Sequence, residues 1–181
     1  GGEESYGFLA QDFVRDKDAV SACSLLAEIC AYAKDHGKTL YDLLMDIYAE
    51  YGFSKEVTIN VVKPGKSGAD EIKQMMVDFR NCPPKEIGGS QVVISKDYQT
   101  LTITAADGTT QPLDMPTTSN VLQWFCADGT KISVRPSGTE PKIKFYIEIK
   151  DKTFKTAADY DRCMQAAAEK VEAIKKSLCL D

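Results

Sequence analysis

KISVRPSGTEPKIKFYIEI, residues 131–149, is the stretch that decides how this chain folds. Lys131–Arg135 and Lys142–Ile149 alternate polar and apolar residues, the period of strands with one buried face. Pro136, Ser137, Gly138, Thr139, Glu140 and Pro141 lie between them. A connection that short makes the two strands an antiparallel hairpin. Upstream, Asp128-Gly129 is a strong hairpin signal that joins Val121–Ala127 to the same unit, and Asp107-Gly108 marks another hairpin. Gln91–Ser95 and Thr100–Thr104 read as further strands, and Val57, Ile59 and Val61 alternate with polar residues as a first one.

Two helices complete this region. Residues 63–68 read as a turn. A helix follows with Ile72, Met75, Met76 and Phe79 on one side, and Pro83-Pro84 lies beyond its end. The last helix repeats Tyr160, Met164, Ala167, Val171, Ile174 and Leu178 at spacings of three and four. The order β-α-β-β-β-β-α predicts an α+β fold, an antiparallel sheet of four to five strands with two helices on one face.

Residues 16–52 have a different character. Asp16 reads as an N-cap, Ala19, Val20, Cys23, Leu26, Ala27, Cys30 and Ala33 recur at helical spacing, and Gly37 ends the pattern. Thr39 caps a second helix with Leu40, Leu43, Leu44, Ile47 and Tyr48 as its stripe, ended by Gly52. A boundary near Gly52–Ser54 divides the chain into 1–52 and 53–181. A piece of ~50 residues is too small to hold a core comfortably. The first seven residues already have the character of a working loop, so the chain is expected to be part of a longer protein, with 1–52 a helical remnant of an α/β domain.

Bulk composition removes several functions. The 181 residues carry a formal charge of −5, against the basic face a duplex binder needs. The order of elements resembles sheet-type DNA binders, but the acidic charge disfavours that function, as do Lys and Arg, which are spread evenly and form no basic-aromatic stripe. No run of ~18 apolar residues suggests a membrane span, and no basic segment followed by an apolar one suggests a signal peptide. The six cysteines show no CxxC spacing, which predicts a reduced, cytoplasmic protein. Cys23, Cys30, Cys163 and Cys179 read as small hydrophobes in helices. One histidine, His36, without a matched cysteine cluster argues against zinc. Asp16, Asp18, Asp42 and Asp46 read as caps and solvated helix faces, not as metal ligands.

The 136–141 connection is the candidate site. A hairpin end can turn several backbone N–H groups toward one point and form an anion nest. Gly138 is permissive in φ and lets a ligand come close. Ser137 and Thr139 add hydroxyls, and Arg135 offers a fork that matches phosphate. Pro136 and Pro141 stiffen the ends. Glu140 opposes an anion, and the same string also suits a plain polar turn.

The string RPSGTEPKIKFYIE (135–148) resembles the C-terminal-domain phosphate loop of the α-D-phosphohexomutase superfamily, in the form used by phosphoglucomutases. PTTSNVLQWFCADGTKISVR (116–135) resembles the strand pair before that loop. GGEESYGF (1–8), with RDKDAV (15–20) after it, resembles the sugar-binding loop of the family's third domain. The resemblance implies that 1–52 is the C-terminal part of that third domain and 53–181 a TBP-like fourth domain. It implies that Glu3 and Ser5 hydrogen-bond sugar hydroxyls, and that Arg135, Ser137, Gly138 and Thr139, with Lys142 as a weaker member, clamp the phosphate that is not transferred.

In the family a phosphoserine donates its phosphoryl group to a hexose phosphate. The bisphosphate turns end over end and returns the other phosphate. The full enzyme would use Mg²⁺ and glucose 1,6-bisphosphate. No Ser-His-Asn-Pro-type or Asp-Gly-Asp-Gly-Asp-Arg-type string occurs here, so this chain is expected to hold no catalytic residue and no metal, and to depend on missing N-terminal domains of the same protein. Relatives of phosphopentomutase type share the SGTEPK loop, which leaves pentose phosphate as an alternative substrate. A stand-alone phosphosugar-binding module is the other alternative.

Overall fold

The computed structural model describes residues 1–2, 7–13 and 15–180. They form two units. One comprises Gly1–Gly52 with Thr153–Tyr160, the other Phe53–Lys152 with Asp161–Asp181.

The first unit holds α1 (Ala19–Asp35) and α2 (Leu40–Tyr51). The cap of α1 is Asp18, not Asp16. Asp18 directly precedes the first helical residue, so its carboxylate reaches the amides of Val20 at 3.0 Å and Ser21 at 3.2 Å. Asp16 instead accepts from the amide of Lys17 at 2.7 Å. Gly37, with φ +68°, ends α1. Thr39 starts α2 with a reciprocal capping box to Asp42. Tyr41 meets Tyr160, and Tyr48 meets Phe154, as edge-on ring pairs at 5.7 and 5.6 Å. Only Ala33 of α1 and Met45 of α2 are buried. Cys23 and Cys30 are exposed and do not fill a core, because α1 and α2 have little beyond each other and 153–160 within their unit.

The second unit runs β1 (Phe53–Val62), α3 (Gly65–Asn81), β2 (Glu86–Ile87), β3 (Ser90–Asp97), β4 (Thr102–Ala105), β5 (Thr110–Pro112), β6 (Leu122–Cys126), β7 (Lys131–Pro136), β8 (Lys142–Asp151) and α4, which extends over Tyr160–Leu178. The sheet is antiparallel in the order β1-β8-β7-β6-β3-β4-β5, with β2 on β3. Its eight strands exceed the four to five expected. β2 and β5 fall outside the six segments that read as strands, because they are too short for alternation to reveal. The Asp107-Gly108 turn that makes β5 has Gly108 at φ +86° and Asp107 accepting the Thr109 amide at 2.9 Å. The 63–68 turn also differs from expectation, since α3 begins at Gly65.

One sheet face carries the core. Leu122, Trp124, Ile132, Val134, Phe145 and Ile147 are buried, and register places Trp124 opposite Ile132, and Ile132 opposite Ile147. Phe79 of α3 packs edge-on against Trp124 at 5.2 Å and Phe145 at 6.2 Å. Cys163, Ala167, Val171, Ile174 and Leu178 are the buried stripe of α4. Lys170 ties α4 to the turns of the sheet through the Gly88 carbonyl at 2.8 Å and Asp128 at 2.6 Å. Burial pushes the Cys126 thiol up to about 11, so it stays protonated and inert at neutral pH.

Candidate functional site

β7 and β8 deliver the loop. Arg135 stands near the end of β7 and pairs in register with Lys144 of β8, as Ser133 does with Tyr146. Because side chains alternate across a strand, these four lie on the face opposite Trp124 and Phe145. On that face Gln123 donates to Ser133 Oγ at 2.8 Å, and Lys96 sits 5.1 Å from the Phe125 ring centre.

The loop is closed by its own backbone. Ser137 N–H donates to the Lys142 carbonyl at 2.8 Å and Lys142 N–H to the Glu140 carbonyl at 2.7 Å. The amides of Thr139 and Glu140 point at Ser137 Oγ, at 3.4 and 3.3 Å. These are long bonds. They bring adjacent N–H groups to one side of the turn, and the Ser137 hydroxyl keeps its proton to donate elsewhere. Gly138 is not among the glycines with positive φ, and a Cβ built on it would meet nothing within 4 Å. Its lack of a side chain therefore gives open access to the backbone, and its permissive φ is not used.

Arg135, Ser137, Gly138, Thr139, Lys142, Lys144 and Tyr146 line an open cleft of ≈ 370 Å³. Lys142 forms an ion pair with Glu140 across the loop mouth. The hydrogen bond from Lys142 and then its charge hold the Glu140 carboxyl below its usual range, with a smaller contribution from Lys144. Outside the hairpin, Lys63 N–H donates to the Pro141 carbonyl at 2.9 Å, which braces the loop exit against the end of β1. On the side away from Lys144, the loop shares a second cleft of ≈ 460 Å³ with the start of α3 and Asn120.

The hairpin thus brings together Arg135, Ser137, Gly138, Thr139 and Lys142. Glu3 and Ser5 lie outside the described residues. Gly2 and Phe8 on either side of them form an antiparallel bridge, with Leu9 N–H donating to the Gly1 carbonyl at 2.7 Å. Lys144, Tyr146 and the Lys63 brace were not singled out by sequence reasoning. Period two along β8 marks Lys144 and Tyr146, because residues an even number of places from Lys142 share its face. Among the described residues no three His, Cys, Asp or Glu side chains gather to hold a metal ion. No described helix is long and apolar enough to cross a membrane.

Residues 1–51 match the family model described as phosphoglucomutase/phosphomannomutase, alpha/beta/alpha domain III, and residues 85–160 match phosphoglucomutase/phosphomannomutase, C-terminal domain. The chain is 41% identical over 157 residues to a phosphoglucomutase of Staphylococcus aureus strain MRSA252, covering 86% of this chain and 28% of that protein. It is 39% identical over 148 residues to a phosphoglucomutase of Staphylococcus haemolyticus strain JCSC1435, covering 81% and 27%. The crystal structure of the exocytosis-sensitive phosphoprotein pp63/parafusin from Paramecium, in its open form, aligns with 96% of this chain and 30% of that one, at 17% identity and a TM-score of 0.47. The chain spans about 28% of the length of the curated relative from Staphylococcus aureus. With two consecutive domain matches and the Staphylococcus relatives, the chain belongs to the phosphoglucomutase/phosphomannomutase family.

Proposed function

We propose that the chain is part of a phosphosugar mutase, with residues 1–52 as the end of the sugar-binding third domain and 53–181 as the phosphate-binding fourth. The whole enzyme would interconvert hexose 1-phosphate and hexose 6-phosphate through a bisphosphate. Arg135, Ser137, Gly138 and Thr139 hold the phosphate that is not transferred, and Glu3 and Ser5 hydrogen-bond the sugar hydroxyls. The observation that carries the reading is the placement of Arg135 beside a turn whose amides and hydroxyls gather at an open cleft. Such a nest holds phosphate by preorganised charge and hydrogen bonds and tolerates either sugar orientation. The SGTEPK loop itself does not discriminate hexose from pentose, and pentose phosphate remains the second substrate class.

Phosphoryl transfer needs a nucleophile, a metal and positioned charge. In this reading the first two are supplied by other domains of the same protein, and Mg²⁺ and glucose 1,6-bisphosphate act there. In this division of labour the residues of this chain bind and orient. The exposed Val20, Leu26 and Ile47 on α1 and α2 suit packing against further parts of the third domain.

The test is a titration of the chain with phosphate and with glucose 1,6-bisphosphate, observed through backbone amide shifts. Perturbations are expected at Ser137–Thr139, and Arg135→Ala is expected to weaken binding by about 10- to 100-fold, the worth of a charge-assisted bond. Shifts confined to other regions, or none at millimolar ligand, would reject the site. The 181 residues alone are expected not to convert glucose 1-phosphate to glucose 6-phosphate. Measurable turnover by the purified chain would refute the division of labour.

A further inference from the structure

We infer that the outer edge of β1 docks a second copy of this chain, the two β1 strands pairing antiparallel about a twofold axis at Thr58. This does not depend on the phosphate-binding reading. The hydrogen-bonded path of the sheet ends in two edges, β1 and β5. β5 is protected as edges usually are, since it has three residues, Thr110–Pro112, and ends in a proline. β1 has 10 residues, Phe53–Val62, without proline or glycine. Its register with β8 runs unshifted from Phe53 opposite Asp151 to Val62 opposite Lys142. Among the described residues β8 is the one strand that pairs with it.

The backbone shows which residues of β1 face the open edge. Lys63 N–H donates to the Pro141 carbonyl at 2.9 Å, and these two residues extend the β1–β8 register by one place. Opposed residues of an antiparallel ladder exchange hydrogen bonds at every second position. The odd-numbered residues of β1 therefore bond β8, and Ser54, Glu56, Thr58, Asn60 and Val62 turn N–H and C=O outward. The other side of β8 agrees, since Ser137 N–H bonds the carbonyl of the even-numbered Lys142. Glu56, Asn60 and Val62 are exposed, and Ser54 and Thr58 are partly so.

Two such edges can bond only where even-numbered residues meet. Directly opposed residues share a face, so the two sheets join with their helices on the same side. Centred on Thr58, the pairing engages every outward group: Thr58 meets its own copy, Glu56 meets Asn60, and Ser54 meets Val62. Centring on Glu56 would oppose two carboxylates, which is unfavourable, and centring on Val57 leaves Val62 without a strand partner. In the Thr58 register Asn60 of each copy offers its amide to Glu56 of the other. Glu56 gains from that donor, because its neighbour across β8 is Glu148 and its own strand supplies it with the Ser54 hydroxyl at 2.5 Å. On the helical face Val57 meets Ile59, both partly exposed in the single chain. Backbone bonds supply affinity in strand addition and alternate side chains supply specificity, and here the same strand supplies both halves of the match.

The experiment is sedimentation equilibrium of the 181-residue chain, joined to amide hydrogen exchange at rising concentration. The expected result is a monomer–dimer equilibrium in which the amides of residues 54, 56, 58, 60 and 62 gain protection. Those of 55, 57, 59 and 61, already bonded to β8, do not. T58K opposes two ammonium groups on the axis and is expected to weaken the dimer by about tenfold or more. T58P removes an N–H that β8 does not use, so the chain stays folded while the dimer is lost. N60E opposes Glu56 and is expected to dissociate the dimer, and E56K/N60E to restore it. Within one chain those new charges face Glu148 and Lys144, of opposite sign, and thermal unfolding of each variant checks that it is folded. A chain that stays monomeric at millimolar concentration overturns the inference. So does a dimer that survives T58K and T58P, which must form through another surface, or protection that does not alternate along β1. Failure of E56K/N60E to recover what N60E loses rejects the register centred on Thr58.

Discussion

Replacing Trp124 with alanine is expected to lower the stability of the second unit by about 3–5 kcal/mol, the range for deleting a large buried aromatic. Trp124 is 1% exposed and lies opposite Ile132 in the β6–β7 pair, with Phe79 of α3 against it at 5.2 Å. Its loss opens a cavity where the sheet meets α3, and the register that carries Arg135 to the cleft is held by that same packing. Trp124→Phe keeps an aromatic ring against Phe79 and should recover much of the loss. Denaturant unfolding observed by far-ultraviolet circular dichroism checks this, since the chain's single tryptophan is the one removed. A cost below about 1 kcal/mol would mean that the site collapses around the gap and that the core is not built on this residue.

Gly68→Ala is expected to be nearly as severe, at about 3 kcal/mol or more, although it adds a single methyl group. A Cβ at Gly68 would lie 2.0 Å from the carbonyl oxygen of Lys63, and that neighbour is backbone, which cannot rotate away. Relief requires the end of β1 to separate from the first turn of α3. Lys63 also donates the amide that braces Pro141, so the substitution moves the loop exit as well as the helix. The signature is a combined loss, with a lower unfolding midpoint and weaker phosphate binding in the fraction that remains folded. Gly138→Ala is the control for stability alone, because a Cβ there meets nothing within 4 Å. A stable Gly68→Ala chain with normal phosphate affinity would contradict the close approach.

Much of this was legible in the sequence, for identifiable reasons. Alternation over 131–135 and 142–149 and the Asp-Gly turns are local signals, and they mark β6, β7, β8 and the loop. α4 begins and ends where its apolar stripe does. β2 and β5 escaped because two or three residues carry no period, and β5 is exposed throughout. The cap of α1 was misplaced because Asp16 and Asp18 are equally good caps by chemistry. Only the path of the chain shows which of them directly precedes Ala19 as the last non-helical residue. The exposure of Cys23 and Cys30 follows from what surrounds α1, which its own period does not encode. At the loop, sequence supplied Arg135, Ser137, Gly138 and Thr139 as a group. The opposition of Arg135 and Lys144 is a property of register between two strands. The engagement of Lys142 by Glu140 depends on how the loop turns at its mouth.

The Lys63–Pro141 hydrogen bond also has a consequence for the order in which the unit assembles. β7 and β8 are joined by the loop itself, and local hairpins of this kind form on the order of 1–10 μs. The amide that holds the loop exit comes from the end of β1, far away in sequence, and it arrives only with the β1–β8 pairing. Long-range antiparallel pairing must first meet a larger loop-closure entropy, so it lags behind local turns. During refolding the turn therefore takes shape before it is held in place. If the loop binds phosphate as proposed, its affinity would mature with the edge strand, and a ligand present early would stabilise a hairpin that is not yet anchored.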